Sequence, residues 1–262
     1  MNKKYLYNYG CDGLVAVISG GTSGIGMAVA ERLLNDGAIV FILGRCPQRG
    51  QRAVDILRQR TSCGDAVSFV PCDVSKGQDC AKVRKELAAA LGRQAHVDIL
   101  INSAGVYVEQ RLEAMTEDSY AMIMNTNVKG TMLLTQAMLP LMYSGGSIVN
   151  IASDAAVSGN YGCPLYCASK GAVVALTRAL ALDLAPSIRV NCVCPADVET
   201  PLVARQLEAA EGSYSLQEMS SSYPLQRIAK ADEVAHVICS VASPMNSFMT
   251  GSIVSVDGGL NA

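Results

Sequence analysis

Clusters of like charge and long hydrophobic runs are both missing from this 262-residue sequence. Its 21 basic and 23 acidic residues are spread along the whole chain. No basic segment is therefore available to follow a phosphate backbone, which argues against nucleic-acid binding. The first 13 residues lack the apolar core of a signal peptide, and no run of 18 apolar residues follows them. We therefore expect no membrane association and a cytoplasmic protein.

Cysteine patterns typical of metal sites are missing too, although the chain has ten cysteines. No two of them form C-x-x-C, and the two histidines, His96 and His236, are far apart in sequence. This argues against zinc. Most of the cysteines stand in apolar stretches, where a free thiol behaves as a small hydrophobic group. We expect a reducing compartment, no metal and no disulfide framework.

What the chain does contain is a regular alternation of apolar, β-rich runs with amphipathic segments. Several of the runs are almost entirely apolar, as in parallel strands that are covered on both faces. The strand candidates are residues 14–19, 38–43, 66–71, 97–101, 147–151, 188–193 and 252–256, and helical patterns between them include residues 27–35, 78–91, 119–142 and 168–184. This order predicts an α/β fold with a Rossmann-like, doubly wound, parallel seven-stranded sheet.

The alternation is not interrupted by any internal repeat, low-complexity tract or linker, which indicates a single domain. We place this domain at residues 14–262, after an N-terminal extension at residues 1–13. Residues 201–225 are polar and Ser-rich and break the rhythm. This segment is either a surface insertion or a mobile lid over a substrate.

A glycine-rich segment follows the first predicted strand. Glycines between a first strand and a helix let the backbone approach a pyrophosphate, whose charge the helix N-terminus stabilises. The G-x-x-x-G-x-G spacing alone is also compatible with a simple tight turn, but its position favours a dinucleotide site. The predicted cofactor-binding residues here are Gly20, Thr22, Ser23, Gly24, Ile25 and Gly26.

The residue that follows the second predicted strand bears on the choice of cofactor. NAD-binding proteins usually place a carboxylate there to accept from the ribose 2′-hydroxyl, whereas this chain has Arg45. A guanidinium suits a 2′-phosphate, so NADP(H) is favoured and NAD(H) stays the alternative. The alternative is that Arg45 is a solvated side chain at the start of a loop.

Two further strand ends carry candidate cofactor contacts. Asp73 and Val74 follow the third predicted strand, where Asp73 either accepts from an adenine amine or caps the next helix. Asn102, Ala104 and Gly105 follow the fourth strand, where small residues either let the chain pass close to a ribose or simply end the strand.

The pair Tyr166 and Lys170 carries the strongest indication of catalysis. Residues four apart on a helix share a face, so the phenol and the ammonium can point into one pocket. A free phenol has a pKa of about 10, and lowering it by about three units costs roughly 4 kcal/mol. A lysine and a nicotinamide cation could supply this together, and Ser153 could polarise the reacting oxygen. The alternative is an amphipathic helix with one packed tyrosine and one exposed lysine.

Taken in order, these segments resemble the classical short-chain dehydrogenase/reductase family, most closely its 3-oxoacyl-carrier-protein reductase-like members, from about residue 13 to the C-terminus. The resemblance implies an NAD(P)H-dependent oxidoreductase that interconverts a ketone and a secondary alcohol by hydride transfer. Tyr166 would be the general acid/base and Ser153 would orient the carbonyl. Lys170 would hold the nicotinamide ribose and lower the tyrosine pKa, and Asn127 would keep a water in a proton relay.

The resemblance also implies that Pro195, Val198 and Thr200 contact the cofactor, and that the protein is a homotetramer or a homodimer. The sequence departs from the family pattern at Ser19 (usually Thr), at Ser103 (commonly Asn) and at Ala196 (usually Gly), without loss of a catalytic group.

The substrate class stays open at this point. It includes 3-oxoacyl thioesters, hydroxysteroids such as bile acids, sugars or polyols, and small cyclic ketones. Val106, Tyr161 and Cys163 are pocket candidates by position only. The alternative function is a non-catalytic NAD(P)-binding sensor on the same fold, which would be expected to lack one of the residues Ser153, Tyr166 and Lys170.

Overall fold

The computed structural model describes residues 8–209 and 214–262 and is built around one sheet of seven parallel strands. The sheet contains β1 (Val15–Ser19), β2 (Ile39–Gly44), β3 (Val67–Pro71), β4 (Val97–Asn102), β5 (Met142–Ile151), β6 (Ile188–Pro195) and β9 (Ile253–Val256), whereas β7 (Val198–Glu199) and β8 (Ala229–Lys230) pair separately. The order in the main sheet is β3-β2-β1-β4-β5-β6-β9. This confirms the predicted doubly wound, Rossmann-like α/β fold.

The strand order reverses at β1, which is flanked by β2 on one side and by β4 on the other. In open α/β sheets, ligands bind outside the carboxyl ends of the strands at such a switch point. Ser19 pairs in register with Asn102 there, so the glycine segment after β1 and the small residues after β4 emerge side by side.

Helices cover both faces of the sheet, and successive residues of β1 alternate between two hydrophobic clusters. Ala16 and Ile18 belong to one cluster, and Val15 and Val17 belong to the other, as the two-residue period of a strand requires. The helices are α1 (Gly24–Asn35), α2 (Pro47–Arg60), α3 (Gly77–Leu91), α4 (Glu117–Met124), α5 (Gly130–Met138), α6 (Pro164–Leu184), α7 (Pro201–Ala209), α8 (Leu216–Ser221) and α9 (Ala231–Ala242).

The long helix predicted over residues 119–142 is wrong in its extent. The chain forms α4, a π-helical turn over Asn125–Lys129, then α5, and a short 3₁₀ turn over Leu139–Leu141 before β5 begins at Met142. Pro140 accounts for the end of the helix, because proline lacks the N–H that the helix would use next. The helix predicted over residues 168–184 instead begins at Pro164, since proline is well suited to a first helical turn. Tyr166 therefore lies inside the helix.

The predicted extension and the predicted lid are both partly outside the described residues. Residues 1–7 and 210–213 are not described. From residue 8 onward the extension packs on the domain, where the backbone N–H groups of Tyr9 and Cys11 donate to the Asp36 carboxylate. The segment 201–225 contains α7 and α8.

One described helix, α6, is long and apolar enough to cross a membrane by length and composition alone, with a mean hydropathy of 1.3. The core helix of a globular protein passes the same test, so this single helix is weak evidence. It packs against β6 and places Val173, Val174 and Ala181 in the core.

Candidate active site

The glycines in the segment after β1 stand at positions that do not suit a larger residue. Gly20 and Gly24 have φ of +67° and +54°, the left-handed region that favours glycine. A Cβ at Gly26 would lie 2.5 Å from the Gly20 carbonyl oxygen, and one at Gly20 would lie 3.0 Å from the backbone of Ala104. Helix α1 starts within this segment, and its N-cap, Ser23, makes no capping side-chain hydrogen bond. The first N–H groups of α1 therefore lack a side-chain acceptor, and this cradle fits a pyrophosphate.

The next part of the site lies at the ends of β2 and β3. Thr22 packs against Gly44, where a Cβ would come within 2.8 Å of the Thr22 methyl group. Arg45 follows β2 directly and is exposed. Burial acts to raise the pKa of Asp73, but hydrogen bonds from Ser75 and the charges of Lys76 and Arg45 outweigh it and lower that pKa. Arg45 thus stands at the edge of the glycine segment, close enough to Asp73 to stabilise its charge.

Asp73 and Val74 have local structural partners. Asp73 Oδ1 accepts from the backbone N–H and the hydroxyl of Ser75 at 3.1 and 2.7 Å, which orders the turn before α3. The N-cap of α3 is Lys76, so Asp73 is not the cap that the sequence suggested. Val74 is buried and packs against Gly130.

The segment after β4 is bound to the glycine segment through Ser19. Ser19 Oγ accepts from the backbone N–H groups of Ser103 and Ala104, each at 3.1 Å. The Asn102 side chain is buried and donates to Thr135 Oγ1 at 3.0 Å and to Asn150 Oδ1 at 2.8 Å. Both of its donors are therefore used inside the fold, and its side chain connects β4 to α5 and β5.

Lys170 lies one turn after Tyr166 on α6, as the spacing predicts. Its Nζ lies 5.7 Å from the centroid of the Tyr166 ring and donates to the Ile151 carbonyl at 2.9 Å. A Cβ at Gly105 would lie 3.5 Å from this Nζ and 3.4 Å from Asn127 Oδ1, so the glycine keeps this corner of the site open. Lys170 is only 6% exposed, and this burial lowers its pKa to about 8.

Tyr166 is held as a neutral phenol by its surroundings. Burial raises the pKa of Tyr166, a hydrogen bond with Ser153 lowers it, and the nearby Asp154, Cys163 and Asp197 raise it further. The spacing of Tyr166 and Lys170 predicts that the lysine and a nicotinamide cation together lower this pKa. Among the chain's own residues, burial and the two carboxylates outweigh the lowering contribution and raise it. Tyr166 is therefore protonated at neutral pH and carries a proton to donate.

Ser153 has a carboxyl partner, Asp154, that is not among the residues predicted from the sequence. Its hydroxyl donates to Asp154 Oδ1 at 2.6 Å and accepts from the Ala155 N–H at 3.3 Å. Asp154 is 6% exposed, and its other oxygen accepts from Asn160 Nδ2 at 3.2 Å. The signal for Asp154 in the sequence is its position directly after the candidate catalytic serine.

Asn127 lies in the π-helical turn and is buried, with every polar atom of its side chain in use. Oδ1 accepts from the Val106 N–H at 2.8 Å, and Nδ2 donates to the Val106 carbonyl at 3.0 Å and to Ser169 Oγ at 3.1 Å. Asn127 thus connects the segment after β4 to α6, which it contacts at Ser169, one residue before Lys170.

The three pocket candidates differ in their placement. Val106 is half-buried and held by Asn127. Cys163 is buried, whereas Tyr161 is 84% exposed and accepts from the Arg111 guanidinium at 2.8 Å. A fourth residue, Tyr107, was missed, since no local pattern marks it. Its ring meets that of Tyr166 edge-on, with centroids 4.9 Å apart.

The segment after β6 closes the other side of the site. Pro195 ends β6, and Val198 is buried at the start of β7. The Thr200 methyl group lies 3.2 Å from where a Cβ of Gly24 would stand. The segment after the carboxyl end of β6 thus brings Thr200 against the glycine segment.

Comparisons with known proteins show which proteins this chain is similar to. A family model described as enoyl-(acyl carrier protein) reductase matches residues 20–261. The meso-2,3-butanediol dehydrogenase of Serratia marcescens is 35% identical over 96% of this chain and 96% of its own length. The 3-oxoacyl-[acyl-carrier-protein] reductase FabG of Chlamydia pneumoniae is 33% identical over 95% of this chain and 97% of its own.

A solved structure is also similar to this chain over nearly its whole length. The L-sorbose reductase of Gluconobacter frateurii, determined with NADPH and L-sorbose, has a TM-score of 0.89 and 28% identity, covering 97% of this chain and 99% of that one. The family model, the relatives and the solved structure all indicate the same family. The chain therefore belongs to the short-chain dehydrogenase/reductase family, among its 3-oxoacyl-carrier-protein reductase-like oxidoreductases that act on CH–OH groups and ketones.

Proposed function

We propose that this protein reduces a ketone to a secondary alcohol, or runs the reverse reaction, with Tyr166 as the general acid/base. The observation that carries the proposal is the convergence of a protonated, half-buried Tyr166 with Ser153 and Lys170 beside a glycine cradle that fits a dinucleotide. All three of these side chains are present, so no observation favours a non-catalytic sensor.

In the direction of reduction, Tyr166 gives its hydroxyl proton to the substrate oxygen as that oxygen gains charge. The nicotinamide supplies the hydride when it is bound. Lys170 Nζ lies 5.7 Å from the centroid of the Tyr166 ring and stabilises the phenolate that remains, since a nearby positive charge favours the charged form of the phenol. Asn127 holds Val106 and Ser169 together, and the family resemblance implies that it also keeps a water in a proton relay.

We propose NADP(H) as the preferred cofactor, with NAD(H) as the alternative. Gly20, Thr22, Ser23, Gly24, Ile25 and Gly26 would hold the pyrophosphate, Arg45 the 2′-phosphate, Asp73 and Val74 the adenine side, and Asn102, Ala104, Gly105, Tyr166, Lys170, Pro195, Val198 and Thr200 the nicotinamide side. The support for NADP(H) is the exposed guanidinium of Arg45 at the end of β2, with no carboxylate in that position.

The substitution Arg45→Glu tests the choice of cofactor. A hydrogen bond to a charged group contributes about 1.5–3 kcal/mol, so we expect kcat/KM for NADPH to fall by about 10- to 150-fold while that for NADH changes little or rises. Arg49→Glu, an exposed arginine in the first turn of α2, is the matched control for a change of charge. An equal loss with both cofactors would show that Arg45 does not distinguish them.

The reaction itself is tested by following NADPH and NADH oxidation against 3-oxoacyl thioesters, oxo-bile acids, ketoses and cyclic diketones. Tyr166→Phe keeps the ring that packs on Tyr107 and removes the proton, so we expect turnover to fall by about 100-fold or more with cofactor binding nearly unchanged. Turnover that survives in Tyr166→Phe would refute this mechanism. Tight cofactor binding without turnover across the whole panel would instead support the sensor.

We also propose a homotetramer or a homodimer in a reducing, cytoplasmic compartment. Exposed apolar side chains on α4 and α5, such as Tyr120 and Met132 at 49% and 50% exposure, supply one candidate face, and Leu182 and Phe248 supply another. The free thiols support the compartment. Light scattering on Phe248→Asp and Met132→Asp would report whether either face holds copies together.

A further inference from the structure

Three pairs of neighbouring thiols lie within the described part of the chain. Cys163 and Cys167 have their Sγ atoms 3.9 Å apart, Cys192 and Cys194 have theirs 4.0 Å apart, and Cys72 interacts with Cys80. Both members of the second and third pairs are buried, whereas Cys167 is half-exposed. Among the described pairs, a dissolved reagent can therefore reach only the pair of Cys163 and Cys167.

This pair is built into the first turn of α6. The backbone N–H of Cys167 donates to the Cys163 carbonyl at 3.0 Å, so the two residues are one helical turn apart. Both thiols also turn toward Asn160. Cys163 Sγ donates to the Asn160 carbonyl at 3.6 Å, and Cys167 Sγ accepts from the Asn160 N–H at 3.4 Å. The two sulfur atoms are thus held toward each other by a shared backbone partner.

The pair is coupled to the proposed active site through two contacts. Tyr166 lies between the two cysteines in sequence, and Tyr107 contacts both the Cys163 thiol and the Tyr166 ring. Asn160 also donates to Asp154, whose other oxygen accepts from Ser153. A movement of Cys163 or Asn160 would therefore change the positions of both Tyr166 and Ser153.

We propose that Cys163 and Cys167 are a redox-sensitive dithiol, which a hydroperoxide oxidises to an intrachain disulfide that lowers turnover at Tyr166. The Cys167 sulfur attacks the hydroperoxide, forms a sulfenic acid and releases an alcohol, or water from hydrogen peroxide. The Cys163 sulfur then displaces water from that sulfenic acid and forms the S–S bond. Two thiols lose two hydrogens, and one hydroperoxide is reduced to an alcohol and water.

The order of attack follows from exposure. Cys167 is partly exposed and can be reached by a dissolved hydroperoxide, whereas Cys163 is buried. Cys167 therefore reacts first, and Cys163, whose Sγ lies 3.9 Å away, resolves the sulfenic acid, its thiol proton leaving with the sulfenic hydroxyl as water.

Bond formation must move the start of α6. Side chains one turn apart have Cβ atoms about 5–6 Å apart, whereas a disulfide needs about 3.5–4.5 Å. Cys163 precedes the helix and has φ and ψ of −141° and 50°, so it can move more easily than a residue inside the helix. The required shift is about 1 Å or more, and a misplacement of that size can cost about 100-fold in rate.

The effect on turnover rests on the proposed function, but the formation of the bond does not, so the two are measured separately. Trypsin leaves Cys163 and Cys167 as the sole cysteines of one peptide, residues 130–170. After treatment with hydrogen peroxide and alkylation, we expect this peptide to carry no alkyl groups and to have lost two hydrogens. Dithiothreitol should return both thiols.

The activity measurement uses three variants. Wild-type turnover should fall by about 100-fold on oxidation and recover with dithiothreitol. Cys167→Ser should start at wild-type turnover and resist the oxidant. Cys163→Ser tests the resolving thiol and should stop the reaction at a Cys167 sulfenic acid. Cys192→Ser is the matched control from a buried pair and should respond as wild type does.

Two results would overturn the proposal. Peptide 130–170 retaining two alkylatable thiols after oxidation would show that the pair does not close. A closed pair with unchanged turnover would show that it does not regulate the site. Absence of turnover in the untreated wild-type protein would instead count against the proposed function, while the peptide measurement would still decide whether the dithiol closes.

Discussion

Replacing Asn127 with alanine should cost this protein a measurable part of its stability, because its side chain holds the wall of the site together. The side chain is 1% exposed and makes hydrogen bonds to the N–H and the carbonyl of Val106 and to Ser169 Oγ. Alanine removes all three bonds. It leaves two backbone groups of Val106 without partners, while Ser169 still donates to the Tyr166 carbonyl.

The size of the effect follows from those two backbone groups. A buried polar group left without a partner costs about 1–3 kcal/mol. Val106 is half-buried, so water can replace part of what is lost, and about 2–4 kcal/mol is the expected total. For a chain of this size, each kcal/mol shifts Tm by about 2–4 °C. We therefore expect Asn127→Ala to lower Tm by about 5–15 °C.

The matched control is Asn125→Ala, in the same π-helical turn. Asn125 has the same side chain, is half-buried, and makes no side-chain hydrogen bond within the described residues. Both variants replace asparagine with alanine in the same helical turn, so the effects of helix propensity and of side-chain size cancel when the two are compared. Thermal unfolding followed by circular dichroism, with urea unfolding for the free energy, gives the difference between them.

Two outcomes would refute this reasoning. If Asn127→Ala and Asn125→Ala lost the same stability, the hydrogen bonds to Val106 would contribute nothing net. If Asn127→Ala kept the wild-type Tm yet lost turnover, its role would lie in catalysis alone, as the water relay of the family resemblance implies.

Two further predictions concern buried polar groups beside the cofactor cradle. Ser19→Ala leaves the N–H groups of Ser103 and Ala104 without an acceptor, so we expect unfolding free energy in urea to fall by about 1–3 kcal/mol, with Ser19→Thr close to wild type. Burial lowers the pKa of Lys170 from 10.5 to about 8. Burying the charged lysine therefore reduces the free energy of unfolding by about 3 kcal/mol below pH 8, and this loss disappears as pH rises from 8 through 10.5. Lys170→Met should therefore be more stable than the wild type at pH 7 and lose that advantage by pH 11. A difference in free energy of unfolding that does not change with pH would contradict the lowered pKa of Lys170.

The sheet could be predicted because buried parallel strands are apolar along their whole length. Each of the seven predicted runs overlaps a strand, and most ends agree within two residues. The exception is β5, which begins at Met142 rather than at residue 147. Its first half, including Tyr143, Ser144 and Gly145, is exposed, so it lacks the apolar character that marks a strand covered on both faces.

The helix boundaries that matter most for the site could not be predicted from periodicity. A π-helical turn contains one extra residue, and nothing in the spacing of apolar residues between 119 and 142 marks it. That turn is what directs Asn127 into the fold. The relation between Tyr166 and Lys170 could be predicted, because residues four apart on any helix share a face.

The electrostatic state of the site depended on residues that only the fold brings near. From the sequence, a lysine four residues away and a nicotinamide cation together are expected to lower the pKa of the tyrosine. In the fold, Lys170 turns to the Ile151 carbonyl, while Asp154 and Asp197 join burial in raising the pKa of Tyr166. In the same fold, the Ser153 hydroxyl donates a hydrogen bond to Asp154 Oδ1 at 2.6 Å. While its hydroxyl donates to Asp154, Ser153 has no second proton for a substrate oxygen, which supports the proposal that Tyr166 supplies that proton.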